Sequence, residues 1–298
     1  MPGTVAESLA SHRPALWVEV SPPRGVNPEM LLRHLFALRG HVDAINLTDN
    51  ALGRVKMSGL VFAAMVKTRL GIPVVLNVSC RDRNRFALMS DLLGAGALGI
   101  DAVVALTGDK IAAGGAAAVH DLDLYGLLAM IAMLNRGDTG EGKNPLKTLP
   151  ALYAGSVANP YRSNFDREVE ILERRARAGA KFVLTQPIFE AETARRFLAH
   201  ANRIGIAVIF GILPIKRPTM AKYMQDKVRD LRGAREYLDR YAGMNEAQAR
   251  TFSIRENLAL MRSLSRETAG FAIMSGGGPS LAIELALEFS KWRKAENP

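Results

Sequence analysis

A glutamate stands near the end of the first apolar run of the chain, in Trp17-Val18-Glu19-Val20-Ser21-Pro22-Pro23-Arg24. A carboxylate bounded by apolar residues is costly unless it is paired or used. Pro22 and Pro23 lack the N–H that a sheet ladder needs, so the strand stops there. Glu19 is thus placed at the C-terminal end of a core strand. Alone, it reads more simply as a strand-end side chain pointing to solvent. It is not alone. Asp109 follows another apolar run in Leu106-Thr107-Gly108-Asp109-Lys110, and Gln186 follows a third in Leu184-Thr185-Gln186-Pro187. Asn46-Leu47-Thr48-Asp49-Asn50, Ala154-Gly155-Ser156-Val157-Ala158-Asn159-Pro160 and Gly211-Ile212-Leu213-Pro214 close three more. Burial beside Trp17 and Val20 raises the pKa of Glu19, which suits a proton donor. Two carboxylates in different environments can hold opposite protonation states, so Asp109 could stabilise a cation while Glu19 donates. An amide donates and accepts together, which suits Gln186 to the edge of a heterocycle. The plainer alternatives are a helix-capping role for Asp109 and a backbone-bonded loop role for Gln186.

These residues act together only if the elements carrying them converge. Short β-branched apolar runs alternate with amphipathic helical stretches. Strands are expected at 16–20, 42–47, 73–78, 102–106, 151–155, 182–185, 207–212 and 271–274. Helices are expected at 28–38, 58–70, 84–94, 122–134, 166–178, 191–202, 246–267 and 281–291. Eight continuous apolar strands, each followed by a helix, indicate a single-domain α/β fold, the (β/α)8 TIM barrel; an open doubly wound sheet is the alternative. In a barrel, Glu19, Thr48, Asp109, Asn159 and Gln186 share the C-terminal face, where active sites lie. The barrel is expected to take up residues 1–298 as one domain, with 1–14 a flexible lead.

Composition narrows the class. The 298 residues are 48% hydrophobic and 23% charged, which suits a substantial core. No signal-peptide pattern and no membrane-spanning run is present, which points to a cytoplasmic protein. Cys80 is the single cysteine and the five histidines are scattered, so neither a disulfide nor a bound metal is expected. The net charge of +10 is concentrated between Lys216 and Arg250, at Lys216, Arg217, Lys222, Lys227, Arg229, Arg232, Arg235, Arg240 and Arg250. Interleaved acids and the lack of an aromatic-rich RNA motif favour a solvated helical face over a nucleic-acid surface. A field attracting a polyanionic small molecule is a further reading.

Three motifs invite over-reading. Gly94-Ala-Gly-Ala-Leu-Gly99 has the letters of a dinucleotide fingerprint but closes a helix instead of opening one. Asn77-Val78-Ser79 is a glycosylation sequon without a secretory context. Gly276-Gly277-Gly278-Pro279-Ser280 leads from the eighth strand into the last helix, either as an anion site or as a plain turn. The Gly/Ala-rich stretch 110–119 and the Gly/Lys-rich stretch 136–149 read as mobile loops.

The ordered set Glu-x-x-Pro-Pro-Arg, Leu-x-Gly-Asp, Ala-Gly-Ala-x-Phe-x-x-Thr-Gln-Pro and Gly-Ile-Leu-Pro resembles the methylenetetrahydrofolate reductase family from Glu19 to the last helix. The resemblance implies reduction of 5,10-methylenetetrahydrofolate to 5-methyltetrahydrofolate, in one-carbon metabolism leading to methionine. It implies FAD or FMN as flavin and NAD(P)H as electron donor. It implies that Glu19 is the catalytic acid, that Asp109 lies near flavin and pterin, and that Gln186 binds substrate. Thr48, Asn77, Thr107, Gly108, Asp109, Ala154, Gly155 and Asn159 match flavin-lining positions, with Glu168 and Arg175 toward the ribose and phosphate ends. The chain departs from the family's common pattern where Thr107 replaces Arg, Asn159 replaces His and Asn77 replaces His. The expected partners are folate, nicotinamide, further copies of the chain, and an electron-transfer or methyltransferase subunit. No nucleic acid or membrane partner is expected. The competing class is a non-redox pterin-binding barrel serving a methyltransferase.

Overall fold

Each apolar run forms a strand, and each neighbouring pair runs parallel. The computed structural model describes residues 3–111, 115–142, 145–227, 234–276 and 278–296. Strands β1 (Ala15–Val20), β2 (Ala44–Leu47), β3 (Val74–Ser79), β4 (Ala102–Leu106), β5 (Tyr153–Ala158), β6 (Phe182–Pro187), β7 (Ala207–Ile212) and β8 (Gly270–Met274) follow one another around a closed barrel. β1 pairs with β8 to close it, with Glu19 opposite Met274 on that side and Asn46 on the other. The expected (β/α)8 barrel is therefore the fold.

Side chains alternate along each strand. The inward set includes Trp17, Val75, Val104, Phe182, Leu184 and Ile209, which pack as one cluster. Trp17 and Phe182 meet edge to face at 5.5 Å. The outward set packs beneath α2 (Glu29–Phe36), α3 (Gly59–Leu70), α4 (Arg85–Ala97), α5 (Leu124–Asn135), α6 (Phe165–Arg177), α7 (Ala191–Ile204), α10 (Glu246–Leu264) and α11 (Ser280–Glu296). Ser58, Asn84, Asp123, Asn164 and Asn245 each accept a backbone N–H at the start of a helix, which fixes where α3, α4, α5, α6 and α10 begin. At the base, buried Arg293 of α11 donates to the Pro14 carbonyl at 2.8 Å and to Asp43 at 2.5 Å.

Three stretches differ from the sequence expectation. The lead segment, expected to be flexible, contains α1 (Val5–Ala10), which has a Thr4–Glu7 capping box and buries Val5 and Leu9 against the barrel interior. Strand β5 begins at Tyr153 and runs to Ala158, three residues past the expected end. Gly155 suggested a strand end, but it is an interior strand glycine: a Cβ there would lie 2.3 Å from the Phe182 ring. Gly155→Ala should therefore overpack the barrel floor and cost about 1–3 kcal/mol in urea unfolding. Unchanged stability would show that Phe182 has room to move. Finally, α8 (Pro218–Lys227) and α9 (Arg235–Asp239) stand between β7 and α10, in the basic stretch read as a solvated helical face, and part of that face is buried. Tyr237, Tyr241 and Phe252 join Phe189 there in a third, smaller apolar cluster.

Candidate active site

The C-terminal ends of the strands bring the two carboxylates to one mouth. Glu19 points up from β1 above Trp17, half-buried. Asn46, fully buried on β2, donates from Nδ2 to Glu19 Oε2 at 3.3 Å. Burial pushes the Glu19 carboxyl up to about 7; the Asn46 bond opposes this, and the negative charge of Asp109 adds to it. Glu19 can therefore carry a proton near neutral pH.

Asp109 lies in the exposed loop after β4. Its Oδ2 accepts the Leu52 N–H at 2.6 Å, which latches that loop to the one after β2. The latch needs an unusual backbone: Asn50 and Leu52 are both left-handed, with φ of 44° and 58°. A Cβ on Gly53 would come within 2.5 Å of the Lys110 carbonyl. Thr48, nearly buried, shares a 2.8 Å hydroxyl–hydroxyl bond with Ser21 beside Glu19. Asp49 is buried beneath them, accepting the Ser79 N–H and both terminal nitrogens of Arg83.

Gln186 stands exposed at the end of β6. The β6–β7 register shifts between Leu184 and Pro187, and Thr185 Oγ1 accepts the Gly211 N–H. Such a bulge turns a side chain out of the pleat. The Gln186 amide makes no hydrogen bond among the described residues.

The residues matched to flavin divide into two groups. Thr48, Asn77, Thr107, Gly108 and Asp109 stand at the β2–β4 rim. Buried Asn77 Oδ1 and, two residues on, Ser79 Oγ have no hydrogen-bond partner among the described residues. Ala154 and Gly155 lie lower, within β5, because the strand extends beyond them. Asn159 folds back, its Oδ1 accepting the Tyr161 N–H. Glu168 is fully buried and accepts from the Asn159 N–H and from Arg162 Nε. Arg175 donates to the Val157 carbonyl. The β2–β4 rim is open at exposed Thr107 and Asp109, while Glu168 and Arg175, matched to the ribose and phosphate ends, bond within the protein.

Sequence reasoning missed Asn46, the direct partner of Glu19. Its signal was a polar residue at an inward position of a short buried strand, two before Thr48. A cleft of about 330 Å³ opens past the end of β1, between Val20, Ser21, Leu52, Arg54, Lys56 and Ser275, and Glu19 does not line it. Gly276–Ser280 does lead from β8 into α11, and Gly277 lies outside the described residues. A larger cavity, about 480 Å³, opens at the opposite end between Asp101, Asn135, Tyr153 and Lys181. Asp101 there accepts the Val5 N–H, and Asn135 is bonded twice to the Leu152 backbone, so these groups serve the fold.

Among the described residues, no group of three His, Cys, Asp or Glu side chains could hold a metal ion, and no helix is long and apolar enough to cross a membrane. Cys80 is buried and its thiol is pushed up to about 11, mainly by burial, which disfavours the reactive thiolate. In the basic stretch, Arg240 pairs with Glu256 and Arg250 with Glu284. The Lys227 side chain, Arg229 and Arg232 lie outside the described residues, as do parts of the loops at 110–119 and 136–149.

Residues 4–274 match the family model described as methylenetetrahydrofolate reductase. A Caenorhabditis elegans protein described as a probable methylenetetrahydrofolate reductase (NADPH) is 29% identical over 208 residues, 66% of this chain and 30% of that protein. A Salmonella typhimurium 5,10-methylenetetrahydrofolate reductase is 28% identical over 163 residues, 54% of this chain and 50% of that protein. The matched region thus spans at most half the length of these relatives. Among solved structures, an uncharacterized Clostridium thermocellum protein described as binding two copies of 5-methyl-5,6,7,8-tetrahydrofolic acid superposes with a TM-score of 0.65 at 16% identity, covering 98% of each chain. A tryptophan synthase chain from Pyrococcus furiosus superposes at 0.51 and 14% identity, covering 94% of this chain and 96% of that one. Both likenesses establish the barrel.

Proposed function

Because this chain belongs to the methylenetetrahydrofolate reductase family, we propose that it reduces 5,10-methylenetetrahydrofolate to 5-methyltetrahydrofolate with NAD(P)H, or a partner chain, as electron source. The observation that carries this reading is Glu19: a half-buried acid on a strand end, held up to about 7 and facing the charge of Asp109. The protonated Glu19 carboxyl donates to N10 of the substrate. The N10–methylene bond breaks, leaving an iminium cation at N5. Asp109 stabilises that positive charge across the mouth. The exposed Gln186 amide holds the pterin edge, donating and accepting together. Hydride addition to the iminium carbon completes the methyl group, so one dihydronicotinamide and one proton are consumed per product.

A bound FAD or FMN would supply the hydride chemistry between nicotinamide and folate. Thr48, Asn77, Thr107 and Gly108 are the residues that would meet its ring. The visible spectrum of the purified protein, before and after anaerobic NADH, tests this part. A flavin spectrum that bleaches with NADH and recovers with methylenetetrahydrofolate supports it. A flavin that ignores NADH would move the electron source to a partner chain. No flavin, even after FAD or FMN is added, would remove the flavin from the account.

A second reading, a non-redox folate-binding barrel serving a methyltransferase, is favoured by one observation. Glu168 and Arg175, at the positions matched to the flavin tail, both bond within the protein.

A further inference from the structure

Arg81 is an arginine with almost no exposed surface, at 2%, in a loop beside the mouth. Its burial is accounted for by four bonds that span three loops. Nε and Nη2 donate to the two carboxylate oxygens of Asp82, each at 2.6 Å. Nη1 donates to the Asp109 carbonyl at 2.7 Å, and Nη2 reaches the Asn50 carbonyl at 3.4 Å. Asn50 in turn donates to Asp82 at 3.1 Å. The fork thus ties the loop after β2, its own loop after β3 and the loop after β4 at one point. Gly108 must lack a side chain for this, since a Cβ there would lie 2.8 Å from Arg81 Cβ. The same Asp109 is held from the other side by the Leu52 N–H.

We propose that Arg81 is the positioning residue that sets Asp109 against Glu19. The proposal rests on the reading of Glu19 and Asp109 as the working carboxylates. Arg81 touches neither Glu19 nor the space above it in any described contact, and it acts through the Asp109 backbone. A lysine cannot replace it, because one ammonium lacks the planar fork that holds a carboxylate and two carbonyls together. Glu19 faces Asn46 from β2 and the charge of Asp109 from the β4 loop. Asp109 faces Arg81 and the Leu52 amide. Releasing the clamp therefore lets the Asp109 charge, the smallest of the three influences on Glu19, shift away from it.

The test is a titration of Glu19 by NMR of protein carrying ¹³C at its glutamate carboxyls, with the signal assigned by its loss in Glu19→Gln. Arg81→Met and Asp109→Asn should each move the Glu19 midpoint down toward the ordinary carboxylate value. The double variant should move it no further than either alone. Arg81→Lys should behave like Arg81→Met, and it carries the measurement if Arg81→Met fails to fold. In turnover, Arg81→Lys should lower kcat/KM for methylenetetrahydrofolate by about 100-fold, the scale of a small misplacement of a reacting group. A folded Arg81 variant with an unmoved Glu19 midpoint would overturn the proposal, as would additive shifts in the double variant. A wild-type protein without turnover would instead sink the reductase reading and leave the titration cycle to decide the role of Arg81.

Discussion

Glu19→Gln should lose methylenetetrahydrofolate reduction by about 10²–10⁴-fold, the usual contribution of a general acid, while NADH oxidation by an artificial electron acceptor continues. The substitution removes the transferable proton and little else. The amide has nearly the carboxyl's shape, and its oxygen can still accept the Asn46 Nδ2–H. The two activities therefore separate ring opening, which needs the proton, from nicotinamide oxidation, which does not. Anaerobic stopped-flow measurement of each half-reaction checks the result. Full folate turnover by Glu19→Gln would remove Glu19 from the chemistry.

The second large effect is a pH dependence of stability with an uncommon sign for a carboxylate. Glu19 titrates near 7 in the folded chain against an ordinary value of 4.5. Between these values the folded protein keeps a proton that the unfolded chain releases. The Glu19 contribution is thus fully present below pH 4.5, declines as pH rises and is lost above 7. The span corresponds to at most about 3 kcal/mol, an upper limit because part of the side chain is open to water. Urea unfolding between pH 5 and 8 should show wild type losing stability, and Glu19→Gln losing less. Equal slopes would place the Glu19 carboxyl in ordinary solvent. The same titration should make kcat/KM fall above pH 7, by about tenfold per unit, as the donor form disappears.

The barrel was legible because its strands are buried on both faces and therefore read as unbroken apolar runs. The positions of Glu19, Asp109 and Gln186 were legible for a related reason, since a polar residue just past such a run marks a strand end. The Asn46–Glu19 bond was not, because it depends on two strands meeting in register, which no local pattern encodes. The Arg81 clamp was hidden in the same way: Arg81-Asp82-Arg83 reads as a solvated charged turn until three loops close on it. Gly155 misled because one residue type serves both strand ends and close interior contacts. The helical face at α8 and α9 was legible, but its charge hid the side that Tyr237 and Tyr241 bury with Phe252 of α10. At α1, the Thr4–Glu7 capping box was a local signal of a helix start in a segment otherwise too short and polar to suggest one.

The central claim is that this mouth carries out a proton-assisted reduction of a folate. The most direct measurement incubates purified wild-type protein anaerobically with NAD(P)H and 5,10-methylenetetrahydrofolate, supplemented with FAD or FMN, and identifies the folate products by mass spectrometry. The account predicts 5-methyltetrahydrofolate in amounts equal to the NAD(P)H consumed, formed at least about 100-fold more slowly with Glu19→Gln. Tight binding of the folate without any 5-methyltetrahydrofolate formed, with either nucleotide or with a chemical reductant, would contradict it and favour the pterin-binding barrel.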